Sequence, residues 1–535
     1  MRRVLVANRG EIALRVFRAC RDEGLETVAV AAPDDLGSLH ARSADATVEI
    51  ASYLDPDEHV RAAREAGADA VHPGYGFLAE SAELAEAVLA AGLVWIGPPP
   101  AALRAGGDKL AAKETARAAG VPVLPTGTPE EIGFPLLVKA AAGGGGRGMR
   151  VVRTAGELDE AVEAARREAK AAFGDDTVFF ERYLERPRHV EIQLLADRHG
   201  TVVALGERDC SVQRRHQKVL EESPSPAVGP ELREAMSDAA VAFARAIGYE
   251  SAGTAEFVLA GGEFFFLELN ARIQVEHPVT ELVTGVDLVR AQLRVARGET
   301  LDVDVSLHGH AVEVRLYAED PHTFLPQAGR IDRLRLPDSV RVDTGVAEGD
   351  VIGTSYDPMI AKLVAHAATR TEALDRLADA LRDTEVGGVT TNLPFLRWLV
   401  AHPVVRAGRA TTAFLTEHPP LSDRPARPAP AAWDGAWRLN LPAPPPTPVP
   451  DAGAVGAGRA DVAEQSTVTA PMPGTVLKVL VAAGAHVTAR QPLVVLEAMK
   501  METPLVSPYD ATVRAVHVAE GERVARGTVL VELEE

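Results

Sequence analysis

One stretch of this chain cannot bury a core of its own. Residues 419–465 are rich in Pro and Ala, with 441–450 reading LPAPPPTPVP and small residues following to Gly458. Such a segment offers little apolar surface, and its prolines hold the backbone extended, so it reads as a semi-rigid tether. The exception is 432–439, where Trp433 and Trp437 are expected to dock on a surface that the sequence does not identify. The chain must therefore fold on either side of this break, which suits a length of 535 residues at about 100–200 residues per domain.

Beyond the tether, residues 466–535 repeat themselves at an offset of 37. Pro508 falls on Pro471, Thr512 on Thr475, Val516 on Val479, Gly521 on Gly484 and Val524 on Val487, and Leu530, Val531 and Leu533 fall on Leu493, Val494 and Leu496. Alternating Val and Leu with glycine turns predicts strands in both halves, packed face to face as a small quasi-symmetric all-β sandwich. The joining segment, Glu497 to Glu502, is then an exposed hairpin with Lys500 at its tip between Met499 and Met501.

Before the tether, short β-branched runs alternate with helical patterns. Strands are expected at 4–7, 27–31, 70–72 and 93–96, with a helix at 12–23 whose apolar face carries Ile12, Val16, Phe17 and Cys20. This alternation predicts a parallel sheet flanked by helices. The first turn reads Asn8-Arg9-Gly10-Glu11, without the glycine spacing of a dinucleotide site. A smaller unit with a glycine run spans about 111–184, and strands and helices continue to about 418.

Three features carry chemistry. A glycine-rich loop, Gly143 to Gly146 after Lys139, lets backbone N–H groups approach phosphate oxygens, although a glycine run alone also fits a plain turn. Glu256 and Glu268 flank Gly261-Gly262, and a hairpin centred on Gly262 sets them opposite each other with Asn270 on the same face. Two carboxylates and an amide oxygen suit Mg²⁺, while the same alternation also fits a polar sheet edge. A basic cluster, Arg214 to Lys218, completes the set.

The segment around Lys500 resembles the Glu-Ala-Met-Lys-Met signature of biotin-carrier domains, and Ala470-Pro471-Met472-Pro473-Gly474 follows the same pattern. Residues 1–418 resemble a biotin carboxylase of the ATP-grasp superfamily. The resemblance rests on Ala7-Asn8-Arg9-Gly10-Glu11-Ile12-Ala13, on His72-Pro73-Gly74-Tyr75-Gly76-Phe77-Leu78, and above all on the decapeptide Glu268 to His277. The glycine loop departs from the common family form by one residue, Ala142 standing where a further glycine is usual.

The resemblance implies a biotin carboxylase at 1–418, with an N-terminal α/β subdomain to about 110, an ATP-grasp lid to about 184 and a catalytic subdomain beyond it. A tether at 419–465 and a carrier domain at 466–535 follow. Lys500 would carry biotin. Lys109, Lys139, Gly145, Gly146, Glu181, Leu184, His189, Gln213 and His216 would contact ATP, the main chain of Glu181 and Leu184 receiving the adenine. Glu256, Glu268 and Asn270 would hold Mg²⁺ or Mn²⁺. Lys218, Arg272, Gln274 and the Val275 N–H would form the bicarbonate pocket, with Glu276 as the base. Arg341, with Tyr75 nearby, would stabilise the oxygen that develops charge on biotin. Bicarbonate is a poor electrophile, which is why ATP must first convert it to carboxyphosphate.

The rest of the expected biology follows the same lines. A formal charge of −20 argues against a nucleic acid or anionic membrane as partner. Cys20 and Cys210 show no metal-type spacing, no signal peptide or membrane span is evident, and a cytoplasmic location is expected. A biotin protein ligase, a separate carboxyltransferase subunit and an oligomeric assembly are implied. The acceptor is expected to be acetyl-CoA or propionyl-CoA, with methylcrotonyl-CoA or pyruvate as alternatives. A ligase joining an acid to an amine could share the ATP-grasp features but has no use for a carrier. A non-catalytic biotin carrier has no use for the phosphate and bicarbonate residues.

Overall fold

The structure, a computed structural model, describes residues 1–141, 149–173, 175–214, 217–421, 467–471, 474–498, 501–524 and 527–534. Lys500, Gly145, Gly146, His216, Trp433 and Trp437 lie outside them.

The chain opens on a five-stranded parallel sheet in which strand Arg3–Val6 pairs with Glu26–Ala31 on one side and Ala70–His72 on the other. Helix Gly10–Asp22 follows the first strand and buries Ile12, Val16, Phe17 and Cys20, because a four-residue spacing returns side chains to one face. The chain runs outward from Arg3–Val6 toward one edge of the sheet and from Ala70–His72 toward the other, and at such a reversal open parallel sheets bind ligands beyond the strands' C-terminal ends. Asn8 fixes the loops after these two strands together, its Nδ2 donating to the carbonyls of Pro73 (2.9 Å) and Tyr75 (2.7 Å). Gly74 has φ +65°, and a Cβ there would meet Asn8 Nδ2 at 2.9 Å, so glycine is required for both conformation and space.

The centre of the molecule is an eight-stranded antiparallel sheet. In spatial order its strands are Glu263–Asn270, Ser251–Ala260, Arg188–Ala196, Val202–Arg214, Gln217–Ser223, His310–Tyr317, Met359–Ala367 and Arg341–Thr344. A separate four-stranded sheet, Thr126–Gly127, Val178–Arg182, Leu136–Ala140 and Arg150–Val152, packs Leu136, Val138 and Val152 with Ala165 of helix Leu158–Phe173.

The C-terminal unit has two four-stranded sheets around one core that includes Val476, Leu493, Leu496, Val513, Leu530 and Leu533. The 37-residue offset maps Gly474–Val479 onto Ala511–Val516 and His486–Val487 onto Arg523–Val524. The halves do not stack as separate layers, however. His486–Val487 pairs with Ala511–Val516 and Arg523–Val524 pairs with Gly474–Val479, while Thr467–Thr469 pairs with Val529–Glu534 and Met501–Val506 with Pro492–Ala498, so each sheet takes two strands from each half. Strands Pro492–Ala498 and Met501–Val506 form a hairpin with Ala498 opposite Met501. No helix among the described residues is long and apolar enough to cross a membrane.

Candidate active site

A cleft of about 1460 Å³ lies between the N-terminal loops, the four-stranded sheet and the large sheet. It brings together Lys109, Lys139, Glu181, Leu184, His189, Gln213, Lys218, Glu256, Glu268, Asn270, Arg272, Gln274, Val275 and Tyr75. Of the described residues singled out from the sequence, two are not in its lining: Glu276 is wholly buried, and Arg341 is held by Glu281 (2.7 Å) and Asp343 (2.8 Å).

The hairpin of Ser251–Ala260 and Glu263–Asn270 sets the acidic side of the site. Its turn is the pair Gly261 (φ 61°) and Gly262 (φ 86°), the conformation that two-residue hairpins need. The ladder runs Ala260 opposite Glu263 to Phe257 opposite Phe266, then shifts by a bulge at Leu267 and sets Glu256 opposite Glu268. The expected pairing therefore forms, through a two-residue turn plus a bulge rather than a turn centred on Gly262. Glu191 stands opposite Glu256 on the next strand, so three glutamates lie side by side across three strands. Like charges in such a ladder repel and need cations beside them.

Those cations are present. Lys218 Nζ donates to Glu191, to Glu256 (2.8 Å) and to Glu276 (2.7 Å), and fully buried Arg208 donates to Glu191 at 2.6 Å. His189 Nε2 lies 3.0 Å from Glu256, and Lys109 lies 3.3 Å from the half-exposed Glu268. Burial alone would push the Glu256 carboxyl up, but Lys218 and His189 outweigh it and hold it well below the usual carboxylate range. Burial likewise acts to raise Glu276, yet Lys218 and Arg315, whose Nη2 is 3.0 Å away, leave it fully ionised.

Glu256, Glu268 and Asn270 fit a hard divalent cation. They offer oxygen atoms from one hairpin face, with Asn270 Oδ1 accepting from Arg272 at 2.9 Å and Glu268 half-exposed toward the cleft. Another group, His189, Glu191 and Glu256, comes within 4.8 Å and shares Glu256 with the first set; the Lys218 ammonium bonds both of its carboxylates.

On the opposite wall, helix Lys109–Ala118 carries Lys109 and Lys113 four residues apart on one face. Lys113 and Lys139 both donate to the buried Glu181, Lys139 at 2.8 Å. Behind the cleft, Lys362 Nζ donates to the Val275 carbonyl (2.8 Å) and lies 3.1 Å from Glu11, which accepts from Tyr75 Oη. Lys362 also reaches to 3.9 Å from Asp343, so Tyr75 and Arg341 are joined through a buried charge chain. Sequence reasoning missed Lys113, Glu191, Arg208, Arg315 and Lys362. The one available signal was a lone charge in an apolar strand, as in the run Met359 to Ala367.

The chain matches four family models in succession. They are the biotin carboxylase N-terminal domain at 1–103, the carbamoyl-phosphate synthase L chain ATP binding domain at 108–304, the biotin carboxylase C-terminal domain at 313–417 and the biotin-requiring enzyme model at 466–533. It is 42% identical over 592 aligned residues to the biotin-dependent acyl-coenzyme A carboxylase alpha3 subunit of Mycobacterium leprae, covering 99% of this chain and 98% of that one. It is 47% identical over 442 residues to the mitochondrial methylcrotonoyl-CoA carboxylase subunit alpha of Dictyostelium discoideum, spanning 78% of this chain but only 63% of that relative. Among solved structures, the biotin carboxylase domain of Hydrogenobacter thermophilus 2-oxoglutarate carboxylase, crystallised with MgADP, ADP and bicarbonate, superposes with a TM-score of 0.76 at 43% identity, covering 78% of this chain and 98% of that one. With this sheet order, this cleft and these matches together, the chain belongs to the biotin-dependent carboxylases, as an ATP-dependent biotin carboxylase joined to a biotinyl domain.

Proposed function

We propose that the chain carboxylates biotin borne on its own Lys500, as the first half-reaction of an acyl-CoA carboxylase whose carboxyl transfer falls to a separate subunit. In this reading 1–418 is the carboxylase, 419–465 the tether and 466–535 the carrier. The observation that carries it is the Lys218 ammonium, shared by three buried carboxylates beside Arg272 and Gln274 at the edge of the cleft. That arrangement suits a small anion, which would draw Lys218 toward itself and loosen its hold on Glu276. Glu276 then becomes more basic as the anion binds, which is what proton removal from bicarbonate requires.

Lys139 and Lys109 would meet nucleotide phosphates with His189 beside them, and the main chain near Glu181 and Leu184 would receive the adenine; all of these line the one cleft. A divalent cation held by Glu256, Glu268 and Asn270 would supply positive charge to the phosphoryl group. Tyr75 and Arg341, joined through Glu11, Lys362 and Asp343, would steady charge developing at the ureido oxygen of biotin. Support for a second subunit comes from relatives named as alpha subunits. Acetyl-CoA or propionyl-CoA is the acceptor in this reading, on the relative that matches 99% of the chain and is named for acyl-coenzyme A, with methylcrotonyl-CoA or pyruvate, named in other relatives, as the alternative.

The test is ATP hydrolysis by the whole chain, with and without bicarbonate and free biotin. Hydrolysis should require bicarbonate and rise with biotin. Glu276→Gln should lower carboxylation by about 10²-fold or more while ATP still binds, and Lys500→Arg should take up no biotin from a biotin ligase by intact mass. Bicarbonate-independent turnover, or biotin retained by Lys500→Arg, would sink the reading.

A further inference from the structure

Glu181 is 1% exposed yet meets two cations, Lys113 at one carboxylate oxygen and Lys139 at the other. This buried trio carries one positive charge more than its carboxylate needs. The two lysines are placed differently. Lys139 stands on strand Leu136–Ala140 with its side chain 19% exposed. Lys113 is 3% exposed, its Nζ 5.4 Å from the Phe179 ring centroid, and burial draws its ammonium below the ordinary lysine range. Both lysines line the cleft, Lys113 as the deeply buried cation and Lys139 as the more exposed one.

We propose that Lys113 is a positioning residue for nucleotide binding, keeping Glu181 neutralised so that Lys139 can leave that carboxylate for the phosphates of an incoming nucleotide. A buried carboxylate stripped of its last counter-ion is strongly unfavourable. With Lys113 present, Glu181 can release Lys139 and remain paired. Without it, Glu181 and the phosphates compete for one ammonium. The inference rests on the reading that Lys139 meets phosphates, and it adds a residue outside that set.

Calorimetric titration of the full chain with ADP and with adenosine tests it. Lys113→Met should weaken ADP about tenfold and leave adenosine within about twofold, since adenosine brings no phosphate to compete. Adding Glu181→Gln to Lys113→Met should recover most of the ADP loss, because no carboxylate then holds Lys139 back. Lys113→Arg, which can keep the ion pair, should bind ADP close to the unsubstituted chain. Unchanged ADP affinity in Lys113→Met, equal loss of adenosine, or no recovery in the double variant would overturn the inference. Lys139→Met with undiminished ADP affinity would instead overturn the phosphate reading beneath it, and the inference with it.

Discussion

Glu313 is wholly buried, and neither of its carboxylate oxygens finds a hydrogen-bond partner among the described residues. It faces Glu221 directly across strands Gln217–Ser223 and His310–Tyr317. Burial pushes Glu313 well above the usual carboxylate range, Glu221 and Glu276 add to the rise, and Lys362 and Arg315 oppose it. Glu221 is pushed up to about 7, again chiefly by burial and against the pull of Arg315. A carboxyl whose folded pKa exceeds its unfolded one keeps its proton on folding. Its contribution is intact below the unfolded value and is lost as pH rises through the folded value. Glu313→Gln, which stays neutral, should match the natural chain in stability near pH 4 and exceed it by about 1–3 kcal/mol near pH 9. Urea midpoints at both pH values would show this, and parallel midpoints would mean that ionised Glu313 finds a counter-ion. Residues inside contiguous motifs, such as Arg272, Gln274 and Glu276, were legible from sequence because their neighbours identify them. Arg315 and Lys362 were not, because each meets its partner across dozens of residues, Arg315 on Glu276 and Lys362 on the Val275 carbonyl.

At the level of elements, the hairpin from Ser251 to Asn270 shows where a pattern suffices and where it does not. Alternation and the glycine pair were enough to set Glu256 against Glu268. The bulge at Leu267 was invisible, since a bulge changes the pairing count without changing residue type. Two residues at positive φ make the turn exacting. Gly262→Val should destabilise the chain by about 1–2 kcal/mol, and Gly262→Asn much less, because asparagine tolerates the left-handed region. If the turn also sets the register of the metal residues, the valine variant should need several-fold more Mg²⁺ for half-maximal ATP hydrolysis. An unchanged Mg²⁺ requirement in a destabilised valine variant would separate the turn from the site. The C-terminal repeat was legible in the same partial way. An offset in sequence identifies equivalent strands, but which strand each one pairs with is decided by closure of the two sheets around a single core.

For the whole molecule, the decisive question is travel. In the proposed reading, biotin on the carrier must reach the carboxylase cleft and then a transferase site on another subunit. A tether over 419–465 spans about 35–40 Å as a flexible coil and roughly 145 Å fully extended in polyproline form. Deleting residues 442–463 should spare carboxylation of free biotin and lower coupled acyl-CoA carboxylation several-fold with the transferase subunit present, because the effective concentration of biotin collapses when a tether cannot span its sites. Full coupled activity in the deletion would refute this role for the tether. The carrier's own topology bears on when that travel can begin. Strand Val529–Glu534 lies between Thr467–Thr469 and Ala511–Val516 in its sheet. Among the described residues the first strand of the unit thus has no partner strand until Val529–Glu534 has left the ribosome. A modifying enzyme that reads the folded carrier must therefore act after translation of the unit is complete, so every newly made chain passes through a period in which its carboxylase half can be folded and still have nothing to carboxylate.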